Sequence, residues 1–172
     1  WSNQLHNEVT LNAYYDRKKK AASAPWGDVA VGLGANVGNL FTGVKATVEA
    51  RVGRHLPSGF VHLPDPVGFG LSYDESEAPR GRSQTALYAS LVVRQTVIGY
   101  SIFYNGNLFR DGPSVEHETL VRSLILGLHY ERPRWGVHLN VLLSSDMVDP
   151  WVVRSEPDTA LNYGTLTLDF RR

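Results

Sequence analysis

The feature that most constrains this chain is a two-residue alternation of apolar and polar side chains that recurs along most of its length. In residues 28–37, valine, leucine or alanine occupies every second position, and small or polar residues lie between them. Residues 44–52 repeat the pattern, with Lys45, Glu49 and Arg51 on the face opposite the valines. Because successive side chains of a strand point to opposite faces, the alternation predicts strands with one apolar and one polar or charged face. A face this rich in charge does not belong to an ordinary protein core.

Weaker forms of the alternation continue to the end of the chain. They predict an all-β fold of about eight antiparallel strands, each of roughly the ten residues that a tilted strand needs to cross a bilayer. We expect these strands at residues 4–16, 28–37, 44–52, 85–93, 97–109, 120–131, 135–144 and 162–171. No stretch approaches the roughly 20 apolar residues of a membrane-spanning helix. The strand order predicts an up-and-down meander, and we expect residues 1–172 to form a single β-barrel domain.

The predicted connections between the strands are unequal in length. Residues 17–25 and 54–83 are rich in proline, glycine, serine and charged residues, whereas residues 132–134 indicate a tight turn. Outer-membrane barrels place long loops on one rim and short turns on the other. We therefore expect the two long segments to be surface loops, on the rim opposite the tight turn.

Alternation alone does not separate a membrane barrel from a soluble, lipocalin-like ligand-binding barrel. The proposed lipid-facing positions carry valine, leucine and alanine without charge, and a terminal strand suits a barrel that closes on its first strand. Aromatic residues also lie near the predicted strand ends, where an interfacial girdle belongs. They are Tyr14, Tyr15, Trp26, Phe41, Tyr100, Phe103, Tyr104, Phe109, Tyr130, Trp135 and Trp151. These features favour a transmembrane barrel, with a non-enzymatic porin-like or structural barrel as one alternative and the soluble barrel as another.

Composition and the first residue narrow the possibilities further. The chain has 17 basic and 17 acidic residues, which argues against nucleic acid as a partner. It has no cysteine, so it has neither disulfides nor thiolate metal ligands. Trp1 follows no initiator methionine and no leader, so we expect an N-terminally truncated chain. Either eight strands close a small, filled barrel, or the chain is part of a larger barrel whose first strands precede Trp1.

Four segments, in colinear order, resemble the outer-membrane lipid A 3′-O-deacylase family, the LpxR-like barrels. The first segment, WSNQLHNEVTLNAYYDRK, is similar to the family's Gly-Trp-Asp-x-Gln-Leu-x-x-Glu-Pro motif and the Tyr-rich strand after it, with Val9 in place of the proline. Residues 31–53 resemble its glycine-rich strand, Gly-Asn turn and following strand. Residues 104–115 resemble its Gly-x-Leu-Phe segment, and residues 162–170 its closing strand.

This resemblance implies a barrel of about twelve strands, monomeric when complete, in the outer membrane of a Gram-negative bacterium. The chain would form its C-terminal two-thirds. The resemblance also implies calcium-dependent hydrolysis of the 3′ acyl ester of lipid A, with lipopolysaccharide and outer-membrane lipid as partners. The family's catalytic motifs, an Asn-Asp pair and a His-containing stretch, have no counterpart here and are expected upstream of Trp1. The sequence therefore identifies no catalytic residue and no calcium ligand.

The residues themselves offer two pairs for chemistry, each with an i, i+2 spacing that places both side chains on one strand face. They are His6 with Glu8, and His129 with Glu131. Such a pair suits a base with its orienting carboxylate, or a nitrogen and an oxygen ligand of a metal. It equally suits polar residues on a wet lumen wall, held by structural hydrogen bonds.

Basic residues at predicted strand ends are a second set of candidates. They are Lys18, Lys19, Lys20, Arg54 and His55. Lysine and arginine at such positions are suited to pair with the phosphates of lipopolysaccharide. The alternative is that they are ordinary charges of a barrel rim.

Overall fold

A computed structural model describes residues 9–60, 85–109, 114, 117–145 and 162–170. These residues form a single sheet in which every strand pairs antiparallel with its neighbour in sequence. The strands are β1 (Asn12–Ala24), β2 (Gly27–Gly38), β3 (Phe41–Arg54), β4 (Ala86–Ser101), β5 (Leu120–Glu131), β6 (Trp135–Ser144) and β7 (Tyr163–Phe170). A one-turn helix, α1 (Ile102–Asn105), follows β4. The all-β, up-and-down organisation predicted from the alternation is confirmed.

The two faces of the sheet have the polarity of a membrane protein. Apolar side chains on the outer face are exposed, as shown by Leu33 at 68% and Leu168 at 57% exposure. Charged and polar side chains on the inner face are buried, as shown by Glu49 at 2% and His129 at 1%. A soluble barrel has the reverse arrangement, with its apolar residues inside. The sheet is therefore the wall of a transmembrane barrel, and the soluble alternative is wrong.

The described residues contain seven strands rather than eight, because β4 combines two predicted strands. Residues 94–96 were expected to separate the strands at 85–93 and 97–109. They contain no turn residue, and burial alternates through them without a break. The strand predicted at residues 97–109 also ends early, because α1 begins directly after Ser101.

The basic stretch at residues 17–24 belongs to β1, so its prediction as part of a loop is wrong. Lys18 and Lys20 point to the inner face and form ion pairs with carboxylates of β3 and β2. Arg17 and Lys19 are exposed on the outer face. A charge run that looks like a loop therefore obeys the alternation of the strand, and the turn between β1 and β2 is only residues 25–26.

We expected the long connections on the rim opposite the tight turn at residues 132–134. The structure shows instead that long and short connections share a rim. We call the rim at which β1 ends and β2 begins the first rim, and β3 and β5 also end there. The opposite rim is the one at which β2, β4 and β6 end. Because alternate connections of a meander lie on the same side, the long 55–85 segment shares the first rim with two tight turns.

The interior is stratified along the strands. Two apolar clusters occupy the middle and the rim opposite the first. One consists of Phe41, Ile98 and Val121, and the other of Val92, Ile125 and Leu142. Polar residues fill the interior towards the first rim.

Among the described residues, β1 and β7 each pair with one neighbouring strand, so this part of the sheet does not close on itself. No helix in the described part of the chain is long and apolar enough to cross a membrane.

Candidate functional site

A layer of polar side chains crosses the inner surface of all seven strands near the first rim, and we call it the polar layer. Its members are Lys18, Lys20, Asp28, Glu49, Arg51, Tyr88, Ser90, His129, Glu131, His138 and Asp169. Each strand contributes at least one residue, because the antiparallel registers bring the inward positions of neighbouring strands side by side. The layer is the largest set of ionisable groups that the described residues bring together.

Arg51 is the centre of the polar layer. Its side chain is fully buried and lies opposite Asp28 in the register of β2 and β3. The guanidinium donates two hydrogen bonds to the carboxylate, from Nε to Oδ1 at 2.8 Å and from Nη2 to Oδ2 at 2.6 Å. Lys20 approaches the same carboxylate, with Nζ 3.3 Å from Oδ2. A bidentate pair of this kind is both strong and directional, so it fixes the relative position of β2 and β3.

The remaining hydrogens of Arg51 hold the start of the 55–85 connection inside the barrel. Nη1 donates to the carbonyl oxygen of Gly59 at 2.7 Å, and Nη2 donates to that of Pro57 at 3.1 Å. The ring of Phe60 lies 4.7 Å from the guanidinium and 4.8 Å from Nζ of Lys18. Residues 56–60 thus fold back over the polar layer, and we call them the inward segment. Nζ of Lys20 lies 6.0 Å from the same ring, so three cations face one aromatic ring, an arrangement that desolvation strengthens.

A second cluster links β4 to β5. The hydroxyl of Tyr88 donates to Oε1 of Glu131 at 2.7 Å, and its ring stacks on His129 with centroids 4.7 Å apart. The other side of the Tyr88 ring faces Arg51 at 5.8 Å. Gly53 lies opposite Tyr88 in the register, and a Cβ at residue 53 would overlap the backbone of β4. This glycine therefore lets β3 and β4 approach closely at Tyr88.

Two histidines extend the layer to β6 and β7. Nε2 of His129 lies 2.8 Å from the hydroxyl of Ser90, and its Nδ1 lies 3.1 Å from Nδ1 of His138. Nε2 of His138 lies 3.7 Å from a carboxylate oxygen of Asp169. The order of serine, histidine and carboxylate is similar to a nucleophilic relay. Ser90 and both histidines are buried, however, and bonded to one another, so we interpret these contacts as structural.

The structure separates the residues that the sequence grouped together. His6 and Glu8 lie outside the described residues. His129 and Glu131 share the inner face, but each bonds a different partner on β4. Of the basic set, Lys18 and Lys20 face inward, Lys19 faces outward, and Arg54 is exposed at the end of β3.

His55, the last of the basic candidates, has a structural role at the start of the 55–85 connection. Its backbone has a φ of 53°, in the left-handed region, which reverses the chain after β3. Its ring Nδ1 lies 3.0 Å from the carbonyl oxygen of Thr85, immediately before β4. His55 therefore ties the two ends of the connection together.

The described inner surface does not suit a calcium ion. Calcium takes about six to eight oxygen ligands. No group of three histidine, aspartate or glutamate side chains in the described ranges is arranged to hold a metal. The carboxylates of the polar layer are already bonded, Asp28 by Arg51, Glu49 by Lys18 and Glu131 by Tyr88.

The outer wall carries an open groove across β1 to β4, with a volume of about 770 Å³. Arg17 and Lys19 line the groove on β1, and Gln95 lines it on β4. Apolar side chains of β2, β3 and β4 form its surface, with the small residues Gly32 and Ala46 among them. We call it the wall groove.

An apolar outer wall around a paired, charged interior defines a transmembrane β-barrel protein of the outer-membrane type. The family model described as outer membrane protein LpxR matches residues 1–172. The chain therefore belongs to the LpxR family of outer membrane proteins, and it is located in the outer membrane of Gram-negative bacteria in contact with outer-membrane lipid. Neither a curated protein nor a solved structure matches it.

Proposed function

We propose that the intact protein, a monomeric barrel of about twelve strands, hydrolyses the 3′ acyl ester of lipid A at its membrane-facing side. Water adds to the acyl carbonyl, the 3′ oxygen leaves with a proton, and the products are a free fatty acid and lipid A with one chain fewer. Membership of the LpxR family supports this reaction. The apolar outer wall with its open wall groove is the structural observation that carries it, because a lipid substrate reaches the protein from the membrane.

The polar groups of the described inner face are paired with one another, so we expect the lipid to bind at the outer surface. The polar layer crosses every strand with paired groups, and the inward segment lies over it. The outer wall, in contrast, is apolar and carries the open wall groove. A hydrolase also needs a base and a group that stabilises the developing oxyanion. We expect these groups, and any calcium ligands, outside the described residues.

The mass of lipid A tests the reaction. We expect cells that express the full-length gene to contain lipid A lighter by one hydroxyacyl chain, measured by mass spectrometry of the extracted lipid. Cells with an empty vector provide the control. Heat-modifiable gel mobility shows that the barrel has folded in the membrane. An unchanged lipid A spectrum, in cells that contain the folded protein, would refute the deacylase proposal.

The release of a trapped dye from liposomes distinguishes this proposal from the porin-like alternative. A porin keeps an open, water-filled lumen. We expect the full-length protein, inserted in liposomes, to release a trapped dye no faster than protein-free liposomes. Phe60→Ala removes the ring that covers Lys18 and Arg51, and we expect it to raise the rate of release. Fast release by the wild-type protein would favour the porin.

A further inference from the structure

Two cations project from the apolar outer wall at the middle of a strand. Arg17 and Lys19 are exposed, and the register places them opposite the outward Leu33 and Val31 of β2. Five residues of β1 precede Arg17 and five follow Lys19. A cation on the lipid-facing wall costs about 2–4 kcal/mol at the bilayer midplane and about 0–1 kcal/mol near the interfaces. Cations in this position therefore need an anionic partner.

The described residues do not supply that partner. The acidic residues of the described strands all lie on the inner face, where Asp16 pairs with Lys45 and Asp28 with Arg51. No ion pair of Arg17 or Lys19 occurs within the described ranges. Lys18, between them, faces inward and is neutralised by Glu49. The charge that neutralises the outward pair must come from outside the described sheet.

The wall groove begins beside these cations. Its volume of about 770 Å³ falls in the range of small-molecule sites, about 300–1,000 Å³. The sides are apolar, with Val48 and Val93 among the lining residues, and the side chain of Ala46 is too short to fill it. Two cations at one edge and an apolar trough beside them match a phosphate joined to an acyl chain.

We propose that the wall groove binds one phosphate-bearing lipid of the surrounding membrane. Arg17 and Lys19 hold the phosphate, and one acyl chain lies along the groove past Ala46. The hydroxyl of Tyr15, two residues before Arg17 at the groove margin, donates to the polar part of the lipid. This binding does not rest on the deacylase proposal, because it needs no catalytic group.

Binding of dioleoyl phosphatidic acid to the full-length protein in detergent tests the site, with native mass spectrometry as the readout. We expect the double variant Arg17→Gln/Lys19→Gln to weaken binding at least about tenfold, since each cation makes a charge-assisted hydrogen bond. Arg134→Gln is the matched control, because Arg134 is an exposed cation of the turn between β5 and β6, away from the residues that line the groove. We expect its affinity to stay within about twofold of wild type. Equal losses in both variants would indicate diffuse attraction and would overturn the site.

The groove itself is tested by filling it. Ala46→Leu places a larger side chain in the groove, and we expect it to weaken binding of phosphatidic acid at least about fivefold. Ala89→Leu adds the same volume to the outer wall of β4 beside a different groove, and we expect wild-type affinity.

Two further ligands separate the phosphate from the acyl chain. Dioleoylglycerol lacks the phosphate, and we expect it to bind at least about tenfold more weakly than phosphatidic acid. Inorganic phosphate lacks the chains, and we expect no competition at equal concentration. Full competition by inorganic phosphate, or unchanged binding in Ala46→Leu, would overturn the proposal. Heat-modifiable mobility confirms that each variant is folded.

Discussion

Replacing Arg51 by alanine is expected to destabilise the barrel by about 3–5 kcal/mol, because it leaves Asp28 buried with only Lys20 as a cationic partner. The same change removes the donors that hold the carbonyl oxygens of Pro57 and Gly59. Arg51 thus stabilises both the pairing of β2 with β3 and the inward segment, and alanine removes both contributions. The urea midpoint of the full-length protein in lipid vesicles, read by heat-modifiable mobility, measures the effect.

Arg54→Ala is the matched control for this prediction. Arg54 lies three residues later on the same strand and is exposed, so we expect a change within about 0.5 kcal/mol. The double variant Arg51→Met/Asp28→Leu removes both charges, and we expect it to recover most of the lost stability. If Arg51→Ala is no more destabilising than Arg54→Ala, the central role of Arg51 in the polar layer is wrong.

The same contacts explain how a paired polar inner face and a lipid-facing function fit together. The interior of a membrane barrel must satisfy its polar groups without bulk water if it is closed. Here Asp28, Glu49 and Glu131 each have a cationic or phenolic partner on another strand. A layer built in this way stiffens the wall, and a stiff wall can present Arg17, Lys19 and the wall groove to the membrane in a fixed geometry.

Some contacts of the polar layer depend on the exact centres of the hairpin turns. Asp28 and Arg51 are equidistant from the turn at residues 39–40, and His129 and His138 are equidistant from the pair Pro133 and Arg134. A hairpin register follows from the position of its turn. The predicted turns, Gly38–Asn39 and residues 132–134, are not centred on these positions, so reflection about them would pair Asp28 with Glu49 and His129 with Val137.

Other contacts of the polar layer could not be predicted from the sequence. Tyr88 reaches Arg51 across β3 and β4, which are joined by 31 residues, and a connection of that length does not specify a register. The inward segment depends on buried donors that only the assembled sheet provides. The outward direction of Lys19 required knowing that the basic run is strand, and composition alone favoured a loop.

Gly53→Ala is the second substitution with a large expected effect. A Cβ at residue 53 would meet the carbonyl oxygen of Leu87 and the backbone of Tyr88, and neither can rotate away as a side-chain tip would. Strands β3 and β4 must then separate locally, which loosens the ring of Tyr88 from His129 and its hydroxyl from Glu131. We expect a loss of about 1–3 kcal/mol, the usual cost of overpacking, measured by the same urea midpoint.

Gly99→Ala provides the comparison, since Gly99 is also a strand glycine but lies on the outer face of β4. A Cβ there meets only ordinary contacts, the nearest being the carbonyl oxygen of Thr42 at 3.5 Å. Neither glycine has a positive φ, so alanine is compatible with both backbones, and only the space around Cβ differs. We expect Gly99→Ala to be neutral or to stabilise by about 0.4–1 kcal/mol through the unfolded chain. Equal stabilities of the two variants would show that β3 and β4 are not as closely packed at Tyr88 as the structure has them.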